Sequence, residues 1–450
     1  MKKSTVSAGL NAISALGAMV LFVASANAFA EGSSEQKSVL DNVSDWRQSM
    51  QDKGYKLDFG YVSQTAYLAK GGYTDDRATK YIDQFHFKFN FDLNKIAGIQ
   101  DAEIDALIVN RNHDDNLTYS DLYDPQAPFV NSTQESHGRG SIWRLGLLSY
   151  RQAFFDQKLK IRAGLINKVW DFDNATPCDF QTLMLCGGKS ANNGIWYNWN
   201  VGQWGVSAQY KFAPEWTVKT GLYDQNPRRE DRNQAFSLFT SGSKGTVIPL
   251  ELEYRPVFGN GKLPGIYQLG ATYSNADYND LYLASNNQPQ ALFPHLAPKV
   301  HSDQEFLYWN FTQQITQQGA ASTDGMHLFF TGGIGDRSKI VKYNYSAGIR
   351  YPGIFSQRPK DSFGIGVSYA KLNNDYINNA RLSNQLGAGV AGFNPVLIRD
   401  SAEVVGEVYY NFQVTPAISI QPGLQYWTNP AGVSQTEDAY VVGLKLMANF

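Results

Sequence analysis

The chain has 450 residues, 43% of them hydrophobic, with 39 Lys and Arg against 41 Asp and Glu. A formal charge of −2 excludes the strongly basic surface that nucleic-acid binding needs. Aromatic residues reach 14%, with 26 Tyr, 26 Phe and 40 Gly, a profile of strands and turns rather than helices.

Residues 1–30 begin with Lys2 and Lys3, continue through an apolar stretch ending near Val23, and reach small residues at Ala26, Ala28 and Ala30. That is the pattern of a cleaved secretory signal peptide, cut after Ala28 or Ala30, and the apolar run is short for a retained anchor. Its removal leaves 37 basic against 41 acidic residues, a net −4. No later run approaches the ~20 apolar residues of a spanning helix, so a mature chain that enters a membrane must do so as a barrel. Residues 31–54 are polar, with Val39, Leu40, Val43, Trp46 and Met50 at near-helical spacing. This predicts a short N-terminal helix that is periplasmic or plugs the barrel.

From residue 55 to 450 the pattern has period two. In DQFHFKFNFDL, Phe85, Phe87, Phe89 and Phe91 alternate with His86, Lys88, Asn90 and Asp92, which a strand separates onto opposite faces. Strands are expected near 55–68, 83–93, 102–111, 143–155, 158–168, 204–212, 215–224, 249–256, 265–274, 304–313, 325–332, 341–351, 361–371, 402–412, 416–427 and 438–450. The connections alternate. Those at 94–101, 156–157, 213–214, 257–264, 314–324, 352–360 and 413–415 are shorter. Those at 69–82, 112–142, 169–203, 225–248, 275–303, 333–340, 372–401 and 428–437 are mostly longer. About sixteen antiparallel strands with short turns on one rim and long loops on the other describe an all-β outer-membrane barrel.

A charged face repeated on so many strands cannot form a dry core, because each buried unpaired charge costs several kcal/mol. The inside-out arrangement is therefore expected, with Phe and Tyr toward lipid and His86, Lys88, Asn90, Arg350 and Lys445 toward a wet lumen. Tyr55, Trp216, Tyr351, Tyr426 and Trp427, near strand ends, fit interfacial girdles. The chain ends on Phe450 after a period-two strand, the usual signal for the barrel assembly machinery.

The segment RLGLLSYRQAFFDQKLKIRAGLINKVWDF, Arg144 to Phe172, resembles a strand pair of the carbohydrate-selective porins, the OprB-like family. DWRQSMQDKGYKLDFGY from Asp45, WGVSAQYKFAPEWTVKTGLYDQNP from Trp204 and the closing AYVVGLKLMANF agree with it in order and spacing. Two positions depart from the family: Arg47 stands where a Gly usually follows the tryptophan, and Leu165 follows Gly164 where a polar residue, commonly Gln, contributes a sugar contact. The resemblance implies a sixteen-stranded channel of the Gram-negative outer membrane that passes glucose and related sugars by diffusion. Its partners would be small sugars, outer-membrane lipid and lipopolysaccharide.

Sugars are neutral, so a selective pore needs hydrogen-bonding side chains of both signs and flat aromatic surfaces. The predicted inward set holds His86, Lys88, Arg111, Arg144, Lys160, Arg162, Lys219, Arg255 and Arg350, with Glu103, Asp105, Glu251, Glu253, Glu403 and Glu407. Each can touch substrate or serve as plain solvated lining. The third long loop carries Trp170, Asp171, Asp173, Trp196, Tyr197 and Trp199, and in porin-like barrels such a loop commonly folds inward as the constriction. Its aromatics can stack on sugars there or sit in the extracellular interface belt. Cys178 and Cys186 are the only cysteines, with seven residues between them, and an oxidising compartment favours their disulfide over a metal site.

Catalytic constellations are sparse. Of His86, His113, His137, His295, His301 and His327, only His86 and His327 fall in predicted strands, and strand spacing gives His86 no Ser or acid partner. GGIGD, Gly332 to Asp336, precedes a strand and lacks the Gly-Lys-Ser/Thr ending of a phosphate loop, so it reads as a hairpin turn. Asp171 and Asp173 lack the Gly and distal Glu of a calcium loop. No cofactor, metal or enzymatic activity is expected. The alternatives are a porin for anionic nutrients such as dicarboxylates or sugar acids, favoured if Lys88, Arg144, Arg162 and Arg255 gather without carboxylates, and a barrel hydrolase or adhesin.

Overall fold

In the computed structural model, residues 39–450 are described except 75, 113–114, 137, 139–140, 176–177, 190–195, 198, 260–261, 319–323 and 399–400. The expected signal peptide, His113 and His137 lie outside the described residues. Helix α1 (Val39–Asp52) leads into the barrel. The strands are β1 (Tyr55–Gly72), β2 (Thr79–Asp92), β3 (Ala102–Asn112), β4 (Trp143–Phe154), β5 (Leu159–Ile166), β6 (Gln203–Ala213), β7 (Trp216–Gln225) and β8 (Gly245–Tyr254). They continue as β9 (Leu263–Ser274), β10 (Gln304–Gln314), β11 (His327–Gly335), β12 (Val341–Pro352), β13 (Ser362–Leu372), β14 (Glu403–Gln413), β15 (Ile418–Thr428) and β16 (Glu437–Asn449).

Each strand pairs antiparallel with the next, and β16 returns to β1, with Gly60 opposite Asn449. Phe59 and Phe450 exchange both backbone bonds, at 3.0 and 2.8 Å, so the terminal residue completes the seam. Closure leaves no exposed sheet edge, the condition for backbone in hydrocarbon. Gly60 faces His86 across β1 and β2, and a Cβ there would meet the imidazole at 2.0 Å.

The period-two pattern resolves as expected. Phe85, Phe87, Phe89 and Phe91 face outward, where Phe59 packs on Phe87 and Tyr55 on Phe91, while His86, Lys88 and Asn90 face in. Outward Leu250, Leu252, Ile365 and Val367 are exposed, and Glu251, Glu253 and Ser368 at the alternate positions are buried inside.

Short turns define one rim. Ala213 pairs with Trp216 across a two-residue turn, and Phe155, Asp156 and Gln157 turn with successive left-handed backbones at φ 55°, 55° and 65°. The opposite rim carries loop 2 (113–142), loop 3 (167–202), loop 4 (226–244), loop 5 (275–303) and loop 7 (373–402). In loop 5, Tyr278–Ala284 pairs with Pro298–His301 and packs against the loop 7 helix α2 (Asn374–Gly387).

Four expectations are corrected. The first connection is only 73–78, because β1 and β2 continue past the apolar band through Lys70 and Lys80. The Gly-rich stretch from Gly332 remains strand to Gly335, and the turn follows it. α1 does not plug the barrel: Trp46, Arg47 and Met50 share a cavity with outward Phe89 and Phe91 at the short-turn rim, and Arg47 donates to the Leu57 carbonyl at 3.0 Å. Trp427 is not in a girdle. It is fully buried on the inner side, edge-on to Tyr123 at 6.3 Å, with Nε1 on Gln425 at 3.0 Å.

Candidate functional site: a loop-narrowed lumen

Loop 3 enters the barrel and is fastened to successive walls by inward charges. At its start, Asp171 accepts from Arg162 Nε on β5 at 3.1 Å and from Ser207 and Gln209 on β6 at 2.7 and 3.0 Å. Arg162 also reaches Asp105 at 2.9 Å, and Arg151 meets Asp105 at 3.0 Å and pairs with Glu103. Asn90 completes this mixed ladder against Asp105 at 2.9 Å.

Two residues on, Asp173 sits between Lys168 and Lys189 and accepts from Asn310 at 2.8 Å, while its N–H donates to Glu251 at 2.8 Å. Burial alone would raise the Asp173 carboxyl, but the two lysines hold it below the ordinary carboxylate range. Burial lowers the Lys189 amine despite its carboxylate partner. On the same wall, Lys219 bridges Glu251 and Glu253, both at 2.8 Å, and Arg255 pairs with Glu253 at 2.6 Å.

Cys178 and Cys186 are joined as a disulfide, and the ring they close docks on β11, β12 and β14 to β16. Phe180 packs between Phe329 and Tyr409, with ring centroids at 5.6 and 4.9 Å. Asp179 pairs with Arg350, and Glu407 accepts the N–H groups of Gln181 and Thr182 at 2.6 and 2.8 Å. Loop 2 fills the adjoining wall: Gln134 donates to the Gln64 carbonyl at 2.7 Å, and Gln425 to the Thr133 carbonyl at 3.0 Å. The inner faces of β14–β16 and β1 are thereby covered, with Gln64, Glu407, Gln425 and Lys445 each at most 3% exposed. Lys88, Asn90 and Trp170 stay partly open on the β2–β5 side, and Asp179 and Arg350 on the β12 side. The Lys88 ammonium lies 4.9 Å from the Trp170 ring centroid and the Arg162 guanidinium 5.7 Å from it.

The expected site residues therefore divide. Lys88, Trp170 and Arg350 are partly exposed inside the barrel, Lys160 is exposed toward the short-turn end, and Arg162 and Asp171 are buried against each other. His86 lies edge-on to Trp199 at 6.1 Å, above Lys88. Arg255 and Glu253 lie near the short-turn rim, with Arg255 half exposed. Others are structural. Arg111 is buried against Gln84, Arg144 is spent on loop 4 carbonyls, and Glu403 is buried with Tyr123 and the Ala431 N–H. Glu251, Glu407 and Asp173 hold loop 3 and are closed to solvent. Trp196 and Tyr197 belong to neither a sugar platform nor an interface belt: both are buried, Trp196 against Phe172 and Tyr223 at 5.2 and 5.1 Å. Leu165 is buried and lends no pore contact. Asp179 and Thr182 escaped the sequence reading, although their place between the two cysteines was a signal that the ring would present them.

Outward grease, inward charge and an inserted loop on a closed sixteen-strand barrel define a diffusion porin of the Gram-negative outer membrane. More narrowly, the carbohydrate-selective porin, OprB family, matches residues 76–450, and the chain belongs to that family of channels. It is 36% identical to Porin B of Pseudomonas aeruginosa over 441 residues, 97% of this chain and 96% of that one. It is 34% identical to the putative porin QuiX of Acinetobacter baylyi over 424 residues, 91% and 92% of the two chains. The high-pH structure of Pseudomonas putida OprB superposes with a TM-score of 0.86 at 37% identity, covering 93% of this chain and 99% of that one.

Proposed function

We propose that the lumen passes neutral monosaccharides, glucose and related sugars, by passive diffusion into the periplasm. The observation that carries this reading is charge matching. Arg151, Arg255 and Arg350, each partly exposed, face a carboxylate within ion-pair reach, and Arg162 and Lys219 are neutralised in buried pairs, so the wall offers donors and acceptors rather than a field of one sign. The condition for an anion pore, a cluster of Lys88, Arg144, Arg162 and Arg255 without carboxylates, is not met. Trp170 adds a flat aromatic surface of the kind a pyranose ring stacks on.

A sugar acid is the second reading, favoured by Lys88 and Lys160, inward lysines that make no ion pair with described residues. Single-channel conductance in planar bilayers, titrated with glucose and then with succinate or a sugar acid, separates the two. Block by glucose with little effect of the anions supports the neutral-sugar channel. Block by the anions alone replaces it with the second reading.

A further inference from the structure

Arg144 and Arg229 are 2% and 4% exposed, and neither faces the passage. Both are committed to loop 4. Arg144 donates to the carbonyls of Arg229 and Glu230 at 2.5 and 2.7 Å. Arg229 donates to the carbonyls of Gly202 and Ser237 at 3.2 and 2.6 Å and to Thr240 Oγ1 at 2.9 Å. The Leu145 N–H bonds the Ala235 carbonyl at 3.0 Å, extending the β4 end into the loop. Buried guanidinium groups bonded to backbone carbonyls make this a fixed shelf on the long-loop rim.

What the shelf holds out is apolar. Phe236, Leu238 and Phe239 are 53%, 41% and 82% exposed. Phe239 lies flat on Trp204, with centroids 5.6 Å apart and planes at 5°, and Trp204 Nε1 donates to the Leu238 carbonyl at 2.6 Å. Trp204 alternates with inward Gln203 and Gly205, so it faces lipid, and its outward companions on β6 run through Val206 and Tyr210 to Phe212. Trp204 to Phe212 is nine residues, within the roughly 9–11 that a tilted transmembrane β-strand takes. Trp204 therefore marks the upper edge of the apolar band, and the loop 4 knob continues the lipid-facing surface at the level of the outer leaflet. Arg232 and Lys244 are exposed on the same loop and make no ion pair with described residues; Arg228 is half exposed, 3.4 Å from Asp231.

We propose that loop 4 binds a molecule of lipid A in the outer leaflet, with an acyl chain against Phe236, Leu238 and Phe239 and phosphate on Arg232 and Lys244. An exposed aromatic cluster continuous with the membrane surface, on a loop that also exposes two cations without ion pairs to described residues, matches an acylated, phosphorylated amphiphile in both its parts. The Phe239–Trp204 stack sets the loop tip at the lipid side of the rim, and the buried arginines fix the backbone behind it.

Native mass spectrometry of the purified full chain in detergent tests this, with hexa-acylated bisphosphorylated lipid A titrated against dioleoyl phosphatidylglycerol. Retention of one lipid A where phosphatidylglycerol is lost is expected. The variant F236S/L238S/F239S should bind lipid A about tenfold more weakly, and R232S/K244S should lose the preference for the bisphosphorylated form over the dephosphorylated one. Single-channel conductance should match wild type in both. If the triple variant does not assemble, F239S alone carries the apolar arm, since that side chain is largely exposed. F155S, at the opposite rim, should leave lipid A binding unchanged. Unaltered lipid A affinity in the loop 4 variants overturns the proposal, as does equal retention of phosphatidylglycerol.

Discussion

Glu407 Oε2 accepts both the N–H and the hydroxyl of Thr182, at 2.8 and 2.6 Å, while Oε1 takes the neighbouring N–H of Gln181 at 2.6 Å. One carboxylate on β14 thus satisfies three donors of the disulfide ring and fixes how far loop 3 reaches across the lumen. Replacing Glu407 with Ala leaves those buried donors unpaired, at about 1–3 kcal/mol each. Bilayer recordings of E407A should show larger and noisier openings and a several-fold weaker glucose block, with heat-resistant barrel migration retained. Wild-type conductance and block would deny Glu407 this positioning role.

The Cys178–Cys186 bond closes the ring that Glu407 holds. A cross-link over so short a loop stabilises its ordered form by about 2–3 kcal/mol. C178S/C186S, or reduction of the wild type, should increase open-channel noise and make loop 3 cleavable by protease while the strands stay protected. Equal protease resistance before and after reduction would show that the wall contacts suffice.

Trp170 is the partly exposed aromatic beside Lys88 and Arg162. Loss of a stacking surface costs about 0.5–1.5 kcal/mol. W170A should weaken glucose block by about 3- to 10-fold, and W170F should recover most of it. Identical glucose titrations of W170A and wild type would remove Trp170 from the sugar path.

Lys88 stands opposite Asp58 in the β1–β2 register but makes no ion pair with described residues. Its charge is therefore felt by permeant ions more than that of the paired arginines. K88M should shift the zero-current potential in a salt gradient toward cation selectivity, and R162M should do so less cleanly because it frees Asp105 and Asp171. No shift in K88M would place Lys88 outside the narrow region.

The Asp173 carboxyl is held below its ordinary value by Lys168 and Lys189, against the pull of burial, with Glu251 nearby. A depressed carboxyl contributes stability that is fully present above its unfolded pKa, about 4, and is lost as pH falls through the lower folded value. The Asp173 anchor should therefore hold from neutral pH to about 4, and the channel noise it controls should rise only below that. D173N should show the acid-type trace at neutral pH. A transition in the wild type between pH 5 and 7 would assign the loop's acid sensitivity to another group.

The barrel is legible in the chain because period two is a local property. Phe85 to Phe91 and Tyr440 to Leu446 declare two faces whatever their neighbours are, and repeated inward charge rules out a dry core. Loop lengths told the rims apart for the same reason. Which inward charges meet water is set by long-range packing. Arg350 and Glu407 look alike in a strand pattern, yet one stays partly open and the other is closed beneath Thr182, because loop 3 lands on β14. Trp427 and Tyr426 are adjacent, and only loop 2, bringing Tyr123 against the inner face, makes one a buried contact and leaves the other at the lipid surface. Strand periodicity fixes the side of the wall a residue occupies. Contacts 100 to 300 residues apart in the chain fix whether anything covers it, and no local pattern encodes those.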